Sequence, residues 1–168
     1  MKYYYVGGTL CLLTLCMTLE GGGGVKKEDV PKYLKMLQTS QSGKERATAA
    51  EMLGKRGAIN INDVKEAIEP LKTSVQKDVE ADVRKAAAGA LAAIGSEPTE
   101  TISLLTEVVQ KDKSLDVKLA AVQALASFGP NAKSALPAIR ELATKQKDNK
   151  KVSAILKAAQ KAIASKKG

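Results

Sequence analysis

The sequence contains no histidine and no tryptophan, a single phenylalanine (Phe128), and only two cysteines among 168 residues. Each shortage removes a class of chemistry. Without histidine the common serine triad has no base for its nucleophile, and the usual zinc sites lose a main ligand. Both cysteines, Cys11 and Cys16, lie near the amino end. A chain cleaved after them holds no disulfide, thiol nucleophile or thiolate metal site. Aromatic volume is scarce too, since three of the four tyrosines fall in the first five residues. A conventional globular core holds more, whereas a stack of alanine- and leucine-rich helices has a thin core of small side chains. Glu45, Asp82, Asp116 and Asp148 recur near expected helix starts, which is a capping pattern, and nothing brings two of them into an apolar cleft. The glycines at 21–24 and the TSQSGK stretch at 39–44 lack the spacing and preceding strand of a phosphate-cradling loop. No catalytic residue, cofactor or metal ligand is expected, and the chain reads as non-enzymatic.

The amino end differs from the rest. Lys2 supplies one positive charge, and residues 6–19 are uncharged and mostly apolar. That run has the length of a signal-peptide apolar region and is short for a bilayer-spanning helix. Residues 1–26 are therefore expected to be a signal or anchor segment with a glycine-rich linker, and 27–168 the folded domain. The expected location is exported: periplasmic, envelope-associated or secreted. Cys16 ends an LTLC stretch similar to a bacterial lipoprotein box, with Leu15 where that pattern takes Gly, Ala or Ser. The sequence leaves cleavage, acylation at Cys16 and retention as alternatives. Anchored or transient membrane association through residues 6–19 follows from the same run.

The formal net charge is +9, and removing Lys2 and Glu20 leaves it unchanged. Such an excess favours acidic partners: an anionic polymer or surface, phospholipid headgroups, nucleic acid or an acidic protein face. Nucleic acid is the least favoured, because no aromatic residues interleave the charges to stack on bases.

What the chain does have is a repeat. DVRKAAAGALAAIG (82–95) opens on a carboxylate suited to cap a helix, places Val83, Ala86, Ala87, Ala90, Leu91 and Ile94 on one face, and closes on glycine. Similar stretches occur at 43–57, 116–129 and, more weakly, 154–165, a period of about 34 to 38 residues. Arg46, Arg84 and Lys118 share one column. Leu53, Leu91, Leu125 and Ile163 share another, and Gly57, Gly95 and Gly129 a third. Preceding stretches at 29–38, 63–75, 99–110 and 133–145 read as the first helix of each pair, with short polar connectors between partners. Pro31 and Pro137 suit first turns, whereas Pro70 implies a kink or a helix starting later than Asp63.

DVRKAAAGALAAIG, DVKLAAVQALASFG and the proline-containing SALPAIRELA resemble the HEAT-repeat superfamily, particularly the short bacterial kind also found in phycobilisome-lyase-like proteins. The resemblance spans roughly 27–165. It implies an all-α, right-handed α-α superhelix of about four helical hairpins, with the second helices on the concave side, acting as a scaffold or binding surface. It also implies that Arg84 and its column mates tie layers together through Asp82 and Asp116. The fourth pair, lacking the Asp-Val opening and the terminal glycine, reads as a capping repeat. Removing the core positions leaves Arg84, Lys85, Ala92, Lys118, Gln123, Ala126, Lys157 and Lys161 as candidate partner-binding residues. The column Gly54–Ala92–Ala126–Ala164 forms a smooth strip among them. The expected function is a non-catalytic protein-interaction or scaffold module whose partner is another protein. The alternatives are a charge-driven binder of anionic polymer, membrane surface or nucleic acid, and a structural or regulatory repeat fragment.

Overall fold

A computed structural model describes residues 24–165. Among these residues it contains eight α-helices: α1 (Val30–Thr39), α2 (Gly43–Ile59), α3 (Ile68–Lys77), α4 (Ala81–Ile94), α5 (Pro98–Lys111), α6 (Leu115–Ser127), α7 (Leu136–Lys145) and α8 (Lys150–Ala164). They pair as four hairpins in an all-α repeat solenoid. The leader reading of residues 6–19 and the fates of Cys11 and Cys16 lie outside the described residues.

Within each hairpin the turn is three or four residues long, too short for anything but an antiparallel return. Ser42, Ser114 and Asn149 cap α2, α6 and α8, their side chains accepting from the amides of Glu45, Val117 and Val152. Asp82 and Asp116 do not cap, contrary to expectation. The helices begin earlier, with Glu80 and Ser114 in the cap positions. Both aspartates sit in the first turn, where a negative charge still favours the helix dipole, and Asp82 accepts from Lys85 Nζ at 2.8 Å.

Proline sits at or near the start of every first helix: Pro31, Pro70, Pro98 and Pro137 all occupy first turns. There the missing amide hydrogen costs nothing. Pro70 is accommodated by a late start, since 63–67 forms short 3-10 turns and α3 opens at Ile68.

The core runs unbroken along the stack. Leu53, Leu91 and Leu125 from the second helices are fully buried, as are Leu71, Leu105 and Ile139 from the first. Gly95 ends α4 at φ 67°, its amide donating to Leu91 O at 3.0 Å, so the expected left-handed terminator is present. Gly57 is not a terminator. Helix α2 runs past it to Ile59, and Gly57 is buried against Ile94 and Val64, where a side chain has no room. Gly54 is also a contact residue: a Cβ there falls 2.7 Å from Ala90 Cα. These small residues let α2 and α4 approach closely, and consecutive second helices pack far more extensively than consecutive first helices. The first helices carry bulkier residues and splay, leaving grooves of about 610 Å³ between α1 and α3 and about 400 Å³ between α3 and α5. The stack therefore bends with its second helices inside.

The fourth hairpin differs from expectation. Helix α8 starts at Lys150 rather than near 154, and counting from the caps places Val152 under Val117 and Val83. Ile163 then matches Phe128 and Ile94, not Leu125. The shift of three residues makes Leu156, which the 154–165 alignment turns outward, a fully buried core residue.

Candidate protein-interaction surface

Arginines fix the spacing between layers. Arg46 donates from Nε and Nη2 to the two carboxylate oxygens of Asp78, at 2.8 and 2.7 Å, and from Nη1 to Ser40 O at 3.0 Å. Arg84 repeats the arrangement one layer on. Its Nε and Nη2 reach Asp112 at 2.7 and 2.9 Å, and Nη1 reaches the carbonyls of Asp78 and Val79 at 2.9 and 3.2 Å. Each guanidinium thus reads its own hairpin turn and the next one, a geometry the planar fork suits and an ammonium does not. Asp78 and Asp112 are themselves oriented by amides, accepting from Glu80 N at 2.9 Å and Ser114 N at 2.8 Å.

The ionisation states follow. Burial pushes the carboxyls of Asp78 and Asp112 up, yet both end below the ordinary carboxylate value. The arginine hydrogen bonds, the turn amides and the nearby positive charges together outweigh the lost solvation. Hydrogen bonds donated to Asp78 and Asp112 raise Arg46 and Arg84 in turn. The third layer is weaker. Lys118 Nζ donates to Gln110 O at 3.1 Å, within its own hairpin. The residue matching Asp112 after α7 is Gln146.

Arg84 therefore does tie layers together, but through Asp112 rather than Asp82 or Asp116. The reason is geometric: Asp82 and Asp116 lie on the exposed side of their first turns, while Asp78 and Asp112 close the preceding helices. The sequence carried a signal for this. Ser40, Asp78 and Asp112 each stand six residues before Arg46, Arg84 and Lys118.

A second clamp joins the first helices. Lys72 Nζ on α3 meets Glu69, Glu97 and Glu100 at 2.8, 2.5 and 2.8 Å. Hydrogen bonding to Glu100 first, then to Glu69 and Glu97, raises the lysine well above its usual value. At the amino end Arg56 pairs with Asp63, which Lys27 also approaches at 3.5 Å, so the turn after α2 is held down.

The candidate contact residues divide. Arg84 is buried with its donors committed, and Lys118 is half-buried. Lys85 and Gln123 are exposed on the inner face of α4 and α6, Ala92 and Ala126 are half-buried beside them, and Lys157 and Lys161 are exposed on α8. The smooth strip does not run through four layers. Gly54 is buried beneath Ala90, and in the cap-based register Lys161, not Ala164, follows Ala126. What α4 and α6 do present is an exposed patch of small side chains, Gly89 and Ala93 on one and Ser127 on the other, with Gln123 beside them. Gly89 is not among the candidate contact residues read from the sequence. It lies mid-helix, and nothing stands within 4 Å of where its Cβ would be.

No group of three or more Cys, Asp or Glu among the described residues is arranged to hold a metal ion. No helix among them is long and apolar enough to cross a membrane. Comparison with curated proteins finds no match. The family model described as HEAT repeats matches residues 30–126, from the start of α1 to the end of α6, and stops before the fourth hairpin, where the arginine, the aspartate and the closing glycine are all missing. That match covers more than half of the chain and agrees with the all-helical stack, and the chain belongs to the HEAT-repeat family.

Proposed function

We propose that this chain is an exported, non-catalytic module that holds a protein partner against the inner face of α4 and α6. HEAT repeats in general are protein-interaction scaffolds, and the family is typically non-catalytic. The finer reading rests on Gly89. A glycine inside a helix costs about 1 kcal/mol relative to alanine. At Gly54 and Gly57 that cost is offset by close helix packing, but at Gly89 nothing inside the molecule needs the space. A partner backbone approaching α4 does. Lys85 and Gln123 flank the position, supplying polar contacts around a smooth centre. The arginine clamps keep the two helices at fixed spacing, so the face is presented without ordering cost on binding.

The test compares arginine placed at two exposed positions. Gly89→Arg fills the inner face, and Gln76→Arg puts the same charged group on the outer surface of α3. Pull-down from the envelope fraction of the expressing cells is expected to lose its partner with Gly89→Arg and keep it with Gln76→Arg. Equal retention in both removes the inner face as the contact. Export is tested by mass spectrometry of the mature amino terminus: a start near Gly21, or an acyl group on Cys16, supports it, and an intact Met1 in a cytosolic fraction refutes it.

A further inference from the structure

The positive excess of this protein is gathered at one end. Residues 24–129 carry 16 lysines and arginines against 15 acids, close to balance, whereas 130–165 carry eight against two. Helix α8 holds four lysines and no acid. Three of them, Lys150, Lys157 and Lys161, recur at i, i+7 and i+11, directly opposite the buried Val152, Leu156, Ala159 and Ile163. They form a straight row about 16 Å long at the helical rise. Ala154 and Ala158 stand exposed along it and add no bulk. No ion pair among the described residues engages these three lysines, or Lys151 and Lys147 beside them; in this hairpin only Lys145 is held, by Glu141 at 2.7 Å.

We propose that this row is a docking surface for an anionic phospholipid headgroup layer. Three cations elsewhere in the molecule sit in built sites: Arg46, Arg84 and Lys72 are each fitted to named oxygens. On α8 the charges are lysines along an exposed ridge with no facing carboxylate, which offer a field rather than a shaped site. A planar, laterally mobile sheet of negative headgroups complements such a ridge, and each lysine near it adds attraction without needing a fixed partner. Nucleic acid is less well matched, since the half-buried aromatics Tyr33 and Phe128 lie on α1 and at the end of α6, away from the row. A second copy joined end to end is also disfavoured, because residues 24–42 at the other end of the stack carry four lysines against two acids. The row lies on α8, one layer beyond the α4 and α6 face that the proposed function uses.

The experiment is vesicle co-sedimentation of the full chain at about 0.15 M salt, using phosphatidylcholine alone and with roughly one-third phosphatidylserine. The phosphatidylcholine arm isolates any contribution of residues 6–19. The phosphatidylserine-dependent part is expected to fall roughly a hundredfold in Lys150→Gln/Lys157→Gln/Lys161→Gln. It is expected to persist in the matching triple arginine variant and to change by less than about threefold in Lys32→Gln/Lys35→Gln at the far end. These side chains are exposed, and unchanged helicity by circular dichroism shows that the fold is intact. Wild-type binding by the triple glutamine variant overturns the proposal, as does an equal loss from the far-end variant. Tighter binding to duplex DNA or polyglutamate than to the vesicles also overturns it.

Discussion

Arg84 closes two parallel hydrogen bonds on Asp112 of the next layer, Nε to Oδ2 at 2.7 Å and Nη2 to Oδ1 at 2.9 Å. The two side chains are only 5% and 7% exposed. Asp112 is the residue that ends α5 and, through Ser114, shapes the turn into α6. One contact therefore joins three things: the inner helix of one hairpin, the outer helix of the next, and the turn between them. Repeat stacks derive stability from such nearest-neighbour interfaces, and this one also sets the distance between α4 and α6 on which the proposed binding face depends.

Removing one partner of a buried pair strands the other. Arg84→Met leaves the Asp112 carboxylate and the Asp78 and Val79 carbonyls without their donor, and is expected to cost about 3–5 kcal/mol. The double change Arg84→Met/Asp112→Leu removes the stranded charge and is expected to recover at least half of that loss. Lys118→Met, one layer on, breaks only a single exposed bond to Gln110 O, and about 0.5 kcal/mol or less is expected. Urea unfolding of the three variants measures all of this.

The same carboxylates give the protein an acid-sensitive stability. Asp78 and Asp112 titrate below the ordinary 3.8 in the folded chain. A depressed carboxyl contributes its stability above the unfolded value and loses it as pH falls through the folded one. The urea midpoint is therefore expected to hold from about pH 8 to pH 5 and to drop below about pH 4. In Asp112→Asn the midpoint starts lower at neutral pH and falls less in acid. Lys72 acts in the opposite sense. Its raised value makes its contribution complete below 10.5 and lost only as pH rises above that.

Glycine to alanine is expected to change sign with position on the inner helices. At Gly54 the new methyl meets Ala90 Cα and Cβ at 2.7 and 2.8 Å. Neither atom can rotate aside, so α2 and α4 must part, at a cost of about 1–3 kcal/mol. At Gly89 the methyl meets nothing, and removing the glycine penalty is expected to add about 0.5–1 kcal/mol. Thermal unfolding separates the two. If Gly89 serves a partner, the stabilised variant also binds that partner more weakly.

The core columns were legible because they recur: Leu53, Leu91 and Leu125 repeat with the hairpin, and all are buried. So was Gly95, because a helix that ends on a left-handed residue favours glycine there. Helix starts were less legible. Asp82 and Asp116 carry the residue type of a cap, and an acid in the first turn is favoured by the same dipole that favours one at the cap. Gly57 looked like Gly95 in sequence, yet close approach and chain reversal both select glycine, and only packing distinguishes them. The Arg84–Asp112 clamp was missed because it joins residues 28 apart across a layer, while the expected partners Asp82 and Asp116 recur in the Asp-Val opening that marks the repeat. For the inner face, pattern showed which residues turn outward, but not that Gly89 lacks any internal reason to be glycine.

The fourth hairpin offers the sharpest check of register. Without the Asp-Val opening or a closing glycine, only Ile163 anchored its alignment, and it fits two positions three residues apart, one held by Leu53, Leu91 and Leu125 and the other by Ile94 and Phe128. Asn149 decides between them, since its side chain accepts from Val152 N at 3.2 Å and fixes the start of α8. Leu156 then points into the core with no exposure, and Ile155 lies half-exposed beside it. Leu156→Ala is expected to cost about 2–5 kcal/mol through lost contacts and the cavity it leaves. Ile155→Ala removes a side chain of the same volume and is expected to cost about 1 kcal/mol or less, because water already covers part of it. The alternative register reverses that order. Urea midpoints of the two variants thus test where α8 begins, and with it the alignment of Lys150, Lys157 and Lys161 into one row.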